Sequence, residues 1–332
     1  MPPKVSVIIP NYNHARYLPQ RIESVLNQSF RDIEVILMDD CSPDESRGII
    51  EDYAARDARI RVVYNEQNSG STFKQWNKGI GLVKGEYVWI AESDDFCEPD
   101  LLASLLPFLE ADPAVVLAYC DSFDIDENNI IKATWERFLT ELDPMWKHDF
   151  VTDGITLVRR FMSYRNIIPN ASAVLARTST LRETGPADET YRVVGDWLFW
   201  ARLISKGKVA YSAKTMNHFR SHQNNARSKN HVSGSSLEET TRMLVAMRVY
   251  GEPDPIYYRK AINLLLELWY HAVMYHSVPW SRHRAIFRNI AVIEPGLPGK
   301  MIRMASHRFF HNFTGFRILL GDRFLHRLKR KR

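Results

Sequence analysis

In the stretch WIAESDDFCEPD (89–100), an apolar run of Tyr87, Val88, Trp89 and Ile90 leads straight into Glu92-Ser93-Asp94-Asp95. Two carboxylates about 4 Å apart repel by roughly 1 kcal/mol in water and by several in a cleft of low dielectric. Adjacent aspartates at the end of a buried strand are therefore either dispersed in a wet turn or gathered around a cation. Two more polar clusters follow apolar runs in the same way: Asn11-Tyr12-Asn13 after VSVIIP, and Asp39-Asp40 after IEVILM. Further along, Asp196 stands in VGDWLFW, and Arg220 and His222 stand in NHFRSHQNNA.

The elements that must position these residues are legible over the first 121 residues. Runs 5–10, 33–40, 59–66, 86–92 and 115–121 are short, apolar and rich in β-branched residues, which predicts five strands. Between them fall helical patterns from about Pro19, over 42–55, over 72–83, and from about Pro99 to Glu110. For the second of these, Ser42-Pro43-Asp44-Glu45 has the spacing of a capping box with proline in the first turn. Strands that are apolar throughout and alternate with helices predict an α/β fold, a mainly parallel doubly wound sheet with helices on both faces. Ligands of such sheets bind beyond the carboxyl ends of the strands, where the three polar clusters fall.

Beyond Asp121 the pattern weakens. DIDENN (124–129) reads as a turn, 132–170 has no clear period, a helix is predicted from near Gly195, and KVAYSA (208–213) reads as a returning strand. A boundary is placed in the polar stretch near 230–236. It divides a domain of 1–234, with halves of about 1–121 and 122–234, from a basic helical region of 235–332. Residues 241–332 carry 17 Lys/Arg against 5 Asp/Glu, whereas residues 1–240 carry 27 against 34. The two parts are expected to meet different partners. Three cysteines without metal-ligand spacing argue against a disulfide framework and for a reducing compartment. With no signal-peptide pattern and no apolar run of spanning length, the expectation is a cytoplasmic protein.

Taken in order, VSVIIPNYNHARYL, SVLNQSF, IEVILMDDCSPDES, NSGSTFKQWNKGI, GEYVWIAESDDFCEPD and GDWLFWARL resemble the family 2 inverting glycosyltransferases of the GT-A fold, over about residues 4–222. The resemblance implies a metal-dependent enzyme of bacterial surface-polysaccharide type. It would move a sugar from a UDP- or dTDP-sugar to a hydroxyl of a saccharide or lipid-linked saccharide. It also implies residue roles. Pro10, Tyr12 and Asn13 belong to the nucleotide site, with Tyr12 against the base. Asp40 accepts the imide proton of uracil or thymine, an apt task for an acceptor-only group. Asp94 holds ribose or a metal-bound water, and Asp95 and His222 hold Mn2+ or Mg2+. Asp196 is the general base, although a helix N-cap explains it equally locally. Lys74 faces phosphate or solvent, Trp76 belongs to the core, and Glu92 and Arg220 are donor contacts or supports. Where the family often carries a glycine after the two aspartates of its second motif, here Asp39-Asp40, this chain has Cys41, which makes the loop less permissive at positive φ.

The end of the chain, GFRILLGDRFLHRLKRKR (315–332), has apolar Phe316, Leu320, Phe324 and Leu328 every four residues and six Lys/Arg in 323–332. A helix of this layout suits an anionic membrane surface, which would make the protein peripheral on the inner face of the plasma membrane. The acidic N-terminal part argues against nucleic acid as a partner. A phospho-receiver domain would need a lysine after the fifth strand, and DSFDIDENN has none. A nucleotidyltransferase would need an Arg-containing glycine-rich loop near the N-terminus, which is missing. A catalytically inactive nucleotide-binding or membrane-associated subunit of a polysaccharide assembly complex is the remaining alternative.

Overall fold

The computed structural model describes residues 2–221, 234–275 and 278–311, so His222 and the tail 315–332 lie outside the described residues. The N-terminal half alternates strand and helix as the pattern requires: β1 (Val5–Asn11), α1 (Leu18–Leu26), β2 (Ile33–Asp39), α2 (Ser46–Arg56), β3 (Ile60–Tyr64), α3 (Thr72–Leu82), β4 (Tyr87–Ile90), the two-residue β5 (Phe96–Cys97), α4 (Leu101–Ala111) and β6 (Val115–Ile125). The apolar strands divide their side chains by the two-residue period of a pleat. Val5, Val7 and Ile9 of β1 join Val35 and Leu37 of β2 in a core under α1 and α4. Ile8, Ile36 and Met38 face the opposite core with Phe73 and Trp76 of α3. Helices therefore cover both faces, and each face excludes water from the strand ends that carry the polar clusters.

The sheet is mixed. Strand order is β3-β2-β1-β4-β9-β6-β10-β5, where β9 is Val174–Arg177 and β10 is Lys208–Arg220, with β7 (Ile131–Thr134) beside β6 and β8 (Phe150–Asp153) beside β10. The pairs β2–β3, β1–β2, β1–β4 and β6–β10 are parallel. β9 (Val174–Arg177) enters antiparallel between β4 and β6. It follows a single turn of 3-10 helix, Ala171–Ala173. The stretch without a clear period resolves into short pieces: β7 (Ile131–Thr134), α5 (Trp135–Thr140), β8 (Phe150–Asp153) and α6 (Gly154–Phe161). α7 (Thr178–Thr184) and α8 (Gly195–Ile204) then lead to β10 (Lys208–Arg220), longer than expected and pairing with both β6 and the small β5.

Among the described residues four α-helices follow: α9 (Ser235–Met247), α10 (Pro255–Tyr275), α11 (Trp280–Ile293) and α12 (Leu297–His311). Met243, Leu244, Ile262 and Trp269 pack in one continuous apolar cluster with Trp146, Phe161 and Trp200 of the preceding domain. No described helix is long and apolar enough to cross a membrane.

The predicted capping box does not form. α2 begins at Ser46 with Glu45 as its N-cap, and no side chain caps it. The Ser42 hydroxyl is instead taken by Asp39 Oδ1 at 2.5 Å, and it accepts from the Asn13 amide at 2.9 Å. Cys41 sits at φ +59°, so the loop does adopt the left-handed backbone that a glycine would favour. Relief of that strain in Cys41→Gly is offset by the extra entropy of glycine in the unfolded chain. Its urea unfolding free energy is expected within about 1 kcal/mol of wild type. Cys41→Val, β-branched at positive φ, is expected to cost more than about 1 kcal/mol in the same measurement.

Candidate functional site

β1, β2 and β4 run in register, with Asn11 opposite Asp39 and Ile8 opposite Ile90, so their carboxyl ends form one rim. At the end of β1, Pro10 is buried in the ladder beside Met38. Tyr12 is 46% exposed, an uncovered aromatic face, and Asn13 turns the chain at φ +59°. The two aspartates after β2 divide their work. Asp39 stitches the loop: it accepts from Asn11 Nδ2 at 2.9 Å and from the Ser42 amide at 3.0 Å. Asp40 faces the β3–α3 loop. Its Oδ1 accepts from Asn65 Nδ2 (2.6 Å), the Ser69 amide (2.9 Å) and Gln75 Nε2 (3.0 Å), whereas Oδ2 accepts the Ser69 hydroxyl at 2.7 Å. A carboxylate oxygen takes about two donors, so Oδ2 retains a lone pair for an external N–H. Lys74, next to Gln75 in the first turn of α3, is exposed.

After β4 three acidic residues occupy four positions. Glu92 accepts from Trp76 Nε1 at 2.7 Å, and its amide donates to Ser172 Oγ at 3.1 Å. Asp95 is buried, its Oδ1 accepting the Arg220 amide at 2.9 Å. Behind it lies Arg21, fully buried, with Nη2 3.9 Å from Asp95 Oδ2 and Nε donating to the Glu92 carbonyl at 2.8 Å. Asp94, half-buried, is the more accessible of the pair. Burial first, and then the charge of Asp94, push the Asp95 carboxyl up to about 7 and that of Glu92 up to about 8. When ionised, these three carboxyls outnumber the guanidinium groups of Arg21 and Arg220 beside them. Hard oxygen donors in excess of their counter-charge fit Mg2+ or Mn2+, which bind through one or two carboxylates and complete their shell with water and substrate phosphates. Among the described residues no group of three His, Cys, Asp or Glu side chains converges to enclose a metal, so a cation here would draw its other ligands from elsewhere.

Arg220, read as a donor contact or a support, is placed as a brace. It is buried, and its guanidinium donates to the Asp94 carbonyl (2.7 Å), the Asp126 carbonyl (3.0 Å), Asn129 Oδ1 (2.7 Å) and Gln20 Oε1 (3.1 Å), over the ring of Tyr17. It thereby fixes the backbone of the acidic turn.

Asp196 lies in the first turn of α8, whose N-cap is Val194. The N-cap reading of Asp196 therefore fails, because the helix starts one residue before it. Asn166 Nδ2 donates to its Oδ2 at 3.3 Å. The start of α8 is pressed onto α3: a Cβ on Gly195 would meet the Phe73 ring at 2.6 Å. Trp76 spans the two halves, with its Nε1 on Glu92 and its ring against Phe199 and Trp200 of α8.

Two residues of the site escaped the sequence. Arg21 could have been noticed as a cation on the apolar stripe Leu18, Ile22, Val25 of α1. Glu239 of α9 gave no signal. It is buried, with Oε1 accepting the Arg192 amide at 2.9 Å and Oε2 the amides of Val193 (2.8 Å) and Val194 (3.3 Å). The Arg192 guanidinium meanwhile donates to the carbonyl of Gly70, beside the Ser69 that holds Asp40. One loop thus joins the Asp40 wall to the entry of α8, and α9 holds it. Glu239→Gln turns an amide N–H2 toward these donors. It is expected to cost about 2–3 kcal/mol in urea unfolding, with faster amide exchange at 192–194.

Residues 6–165 match the family model described as Glycosyl transferase family 2. Over these residues the chain is similar to the family 2 glycosyltransferases. Among curated relatives, glycosyltransferase GlyG of Streptococcus pneumoniae serotype 4 is 36% identical over 126 residues, which is 38% of this chain and 42% of GlyG. The chain spans about half the length of the curated relatives it matches. Solved structures show that the fold is that of the GT-A glycosyltransferases. S. aureus TarS 1-349 in complex with UDP-GlcNAc superposes with a TM-score of 0.62 at 19% identity, over 86% of this chain and 79% of that one. The mannosyltransferase PcManGT of Pyrobaculum calidifontis, in complex with GDP-Man and Mn2+, superposes with a TM-score of 0.57 at 14% identity, over 93% and 88%. The rim of β1, β2 and β4 and the mouth of α8 thus lie in a fold that is solved elsewhere with a nucleotide sugar.

Proposed function

We propose that the protein is a metal-dependent inverting glycosyltransferase that moves a sugar from a UDP- or dTDP-sugar to a hydroxyl of a saccharide or lipid-linked saccharide. The observation that carries this reading is the placing of Tyr12, Asp40, Asp94 and Asp95 along one rim of a domain similar to family 2, with Asp196 at the start of α8. The exposed ring of Tyr12 is suited to stack on a base, and the open lone pair of Asp40 Oδ2 to accept its imide N–H. A divalent cation at Asp94 and Asp95 would neutralise the charge that grows on the departing diphosphate. Asp196, oriented by the Asn166 amide, takes the proton of the acceptor hydroxyl as that oxygen attacks from the face opposite the leaving group. One displacement inverts the anomeric centre without a covalent intermediate.

The complexes of TarS with UDP-GlcNAc and of PcManGT with GDP-Man and Mn2+ support a nucleotide-sugar donor and a metal in this fold. The basic tail, and with it an inner-face membrane position, extends the same reading. The test is a thermal-shift titration with UDP, dTDP, GDP and CMP, each with Mn2+ or with EDTA. Stabilisation by UDP or dTDP that needs Mn2+ and is lost in Asp95→Ala is the expected result. A preference for GDP would overturn the pyrimidine assignment, and no response to any nucleotide would overturn the donor site.

A further inference from the structure

A cavity of about 360 Å³ opens between α9, α10 and the faces of α6 and α8. Its volume lies in the range of small-ligand sites, about 300–1,000 Å³. Much of its wall is aliphatic: Leu237 and Leu244 come from α9, and Ala261, Leu265 and Ala272 from α10. Leu264 and Leu268, one turn apart on α10, also line it yet stay 44% and 48% exposed, so apolar surface at the rim is uncovered. Ser163, Tyr164, Trp197, Ser236, Thr240 and His271 also belong to the lining, and two of their polar atoms stand out, Ser163 Oγ and Trp197 Nε1. Both are buried without a hydrogen-bond partner, and Ser163 as a whole is only 8% exposed. An orphaned buried donor costs about 1–3 kcal/mol. Two of them on residues that line one largely apolar space fit a ligand with an apolar body and an oxygen acceptor.

The position of the cavity says which ligand. Trp197 is the residue after Asp196, and Tyr164, also in the lining, is two residues before the Asn166 that donates to Asp196. None of Tyr12, Asp40, Asp94 and Asp95 contributes to it. The cavity therefore adjoins the acceptor side of the site and not the donor side. We propose that it binds the apolar aglycone, an alkyl or isoprenoid chain, of the acceptor whose hydroxyl Asp196 deprotonates. This rests on the reading of Asp196 as the general base, and it narrows the acceptor to a chain-bearing glycoside.

The test uses the full chain and measures binding of n-decyl β-D-glucoside below its micellar concentration by equilibrium dialysis, with glucose as the chainless control. Saturable binding of one decyl glucoside per chain is expected, at least about tenfold tighter than glucose. Ala261→Trp fills the cavity and should weaken decyl glucoside at least tenfold while leaving the nucleotide-induced thermal shift intact. Ala272→Phe serves the same purpose should Ala261→Trp not fold. Equal binding of glucose, or binding unchanged in the filled variants, overturns the proposal. So does loss of affinity for phosphatidylglycerol vesicles in the filled variants without any decyl glucoside binding, which would make the cavity a bilayer contact. Decyl glucoside binding with no nucleotide response would leave the apolar site standing and remove the glycosyltransferase reading instead.

Discussion

Asp196→Asn is expected to lower sugar transfer by about 10²–10⁴-fold, the usual contribution of a positioned general base. The rise in melting temperature with UDP and Mn2+ should stay within a degree of wild type. The variant is nearly isosteric, and the contact with Asn166 Nδ2 that it disturbs is long, at 3.3 Å. A carboxylate in the first turn of α8 also gains from the helix dipole, by about 0.3–1 kcal/mol, so a small loss of stability accompanies the change and does not explain the loss of rate. Asn166→Ala separates orientation from proton transfer. It leaves the carboxylate in place but unaligned, and a loss of about tenfold or less in turnover is expected, with the donor KM unmoved. The measurement is initial-rate kinetics on a donor identified by thermal shift. Full activity in Asp196→Asn would remove the base assignment while leaving the nucleotide site untouched.

The parts of the molecule that were legible in the sequence share one physical property. The runs of β1, β2, β4 and β6 are apolar on both faces, and that composition requires a sheet covered on both sides. The polar clusters at the ends of β1, β2 and β4 stand out because they interrupt those runs. What stayed illegible depends on partners distant in sequence. β9 is four residues long and antiparallel, and it owes its place to β4 and β6, some 85 and 55 residues earlier. Ser42 has the right neighbours for a helix cap, but its hydroxyl is claimed by Asp39 and the Asn13 amide. Tertiary hydrogen bonds won over a local motif. Glu239 looks like any other acid in an amphipathic helix until α9 packs against the loop at 192–194. Arg220 was read as a donor contact or a support, and which four groups it ties around the acidic turn depends on segments far apart in sequence.

Asp95→Asn should make the metal-free protein more stable and less able to bind its donor, and the two effects have one origin. Asn keeps an Oδ1 for the Arg220 amide at 2.9 Å, so the turn retains its geometry. The charge is what disappears, and in the metal-free protein that charge is a liability. Asp95 is held up to about 7 from 3.8, and Glu92 up to about 8 from 4.5, by burial and by the neighbouring Asp94. A carboxyl raised in the folded state binds its proton more tightly there than in the unfolded chain. Its contribution to stability is present below the unfolded value and lost as pH rises through the folded one. In EDTA, wild-type stability should therefore decline between about pH 4 and pH 8, and Asp95→Asn should decline less steeply over the same window, ending above wild type at pH 8. The opposing effect is the ion pair with Arg21, but at 3.9 Å it lies beyond hydrogen-bond length. The Arg21 Nε bond to the Glu92 carbonyl survives the substitution. Adding Mn2+ with UDP reverses the order. Wild type at ligand 100 times its dissociation constant gains about 2.7 kcal/mol, whereas Asp95→Asn gains nothing that EDTA removes. Urea melts at pH 5 and pH 8, with EDTA or with Mn2+ and UDP, read both effects. A variant no more stable than wild type at pH 8 in EDTA would mean that Arg21 already balances the acidic turn, and the case for a cation there would lose its electrostatic basis.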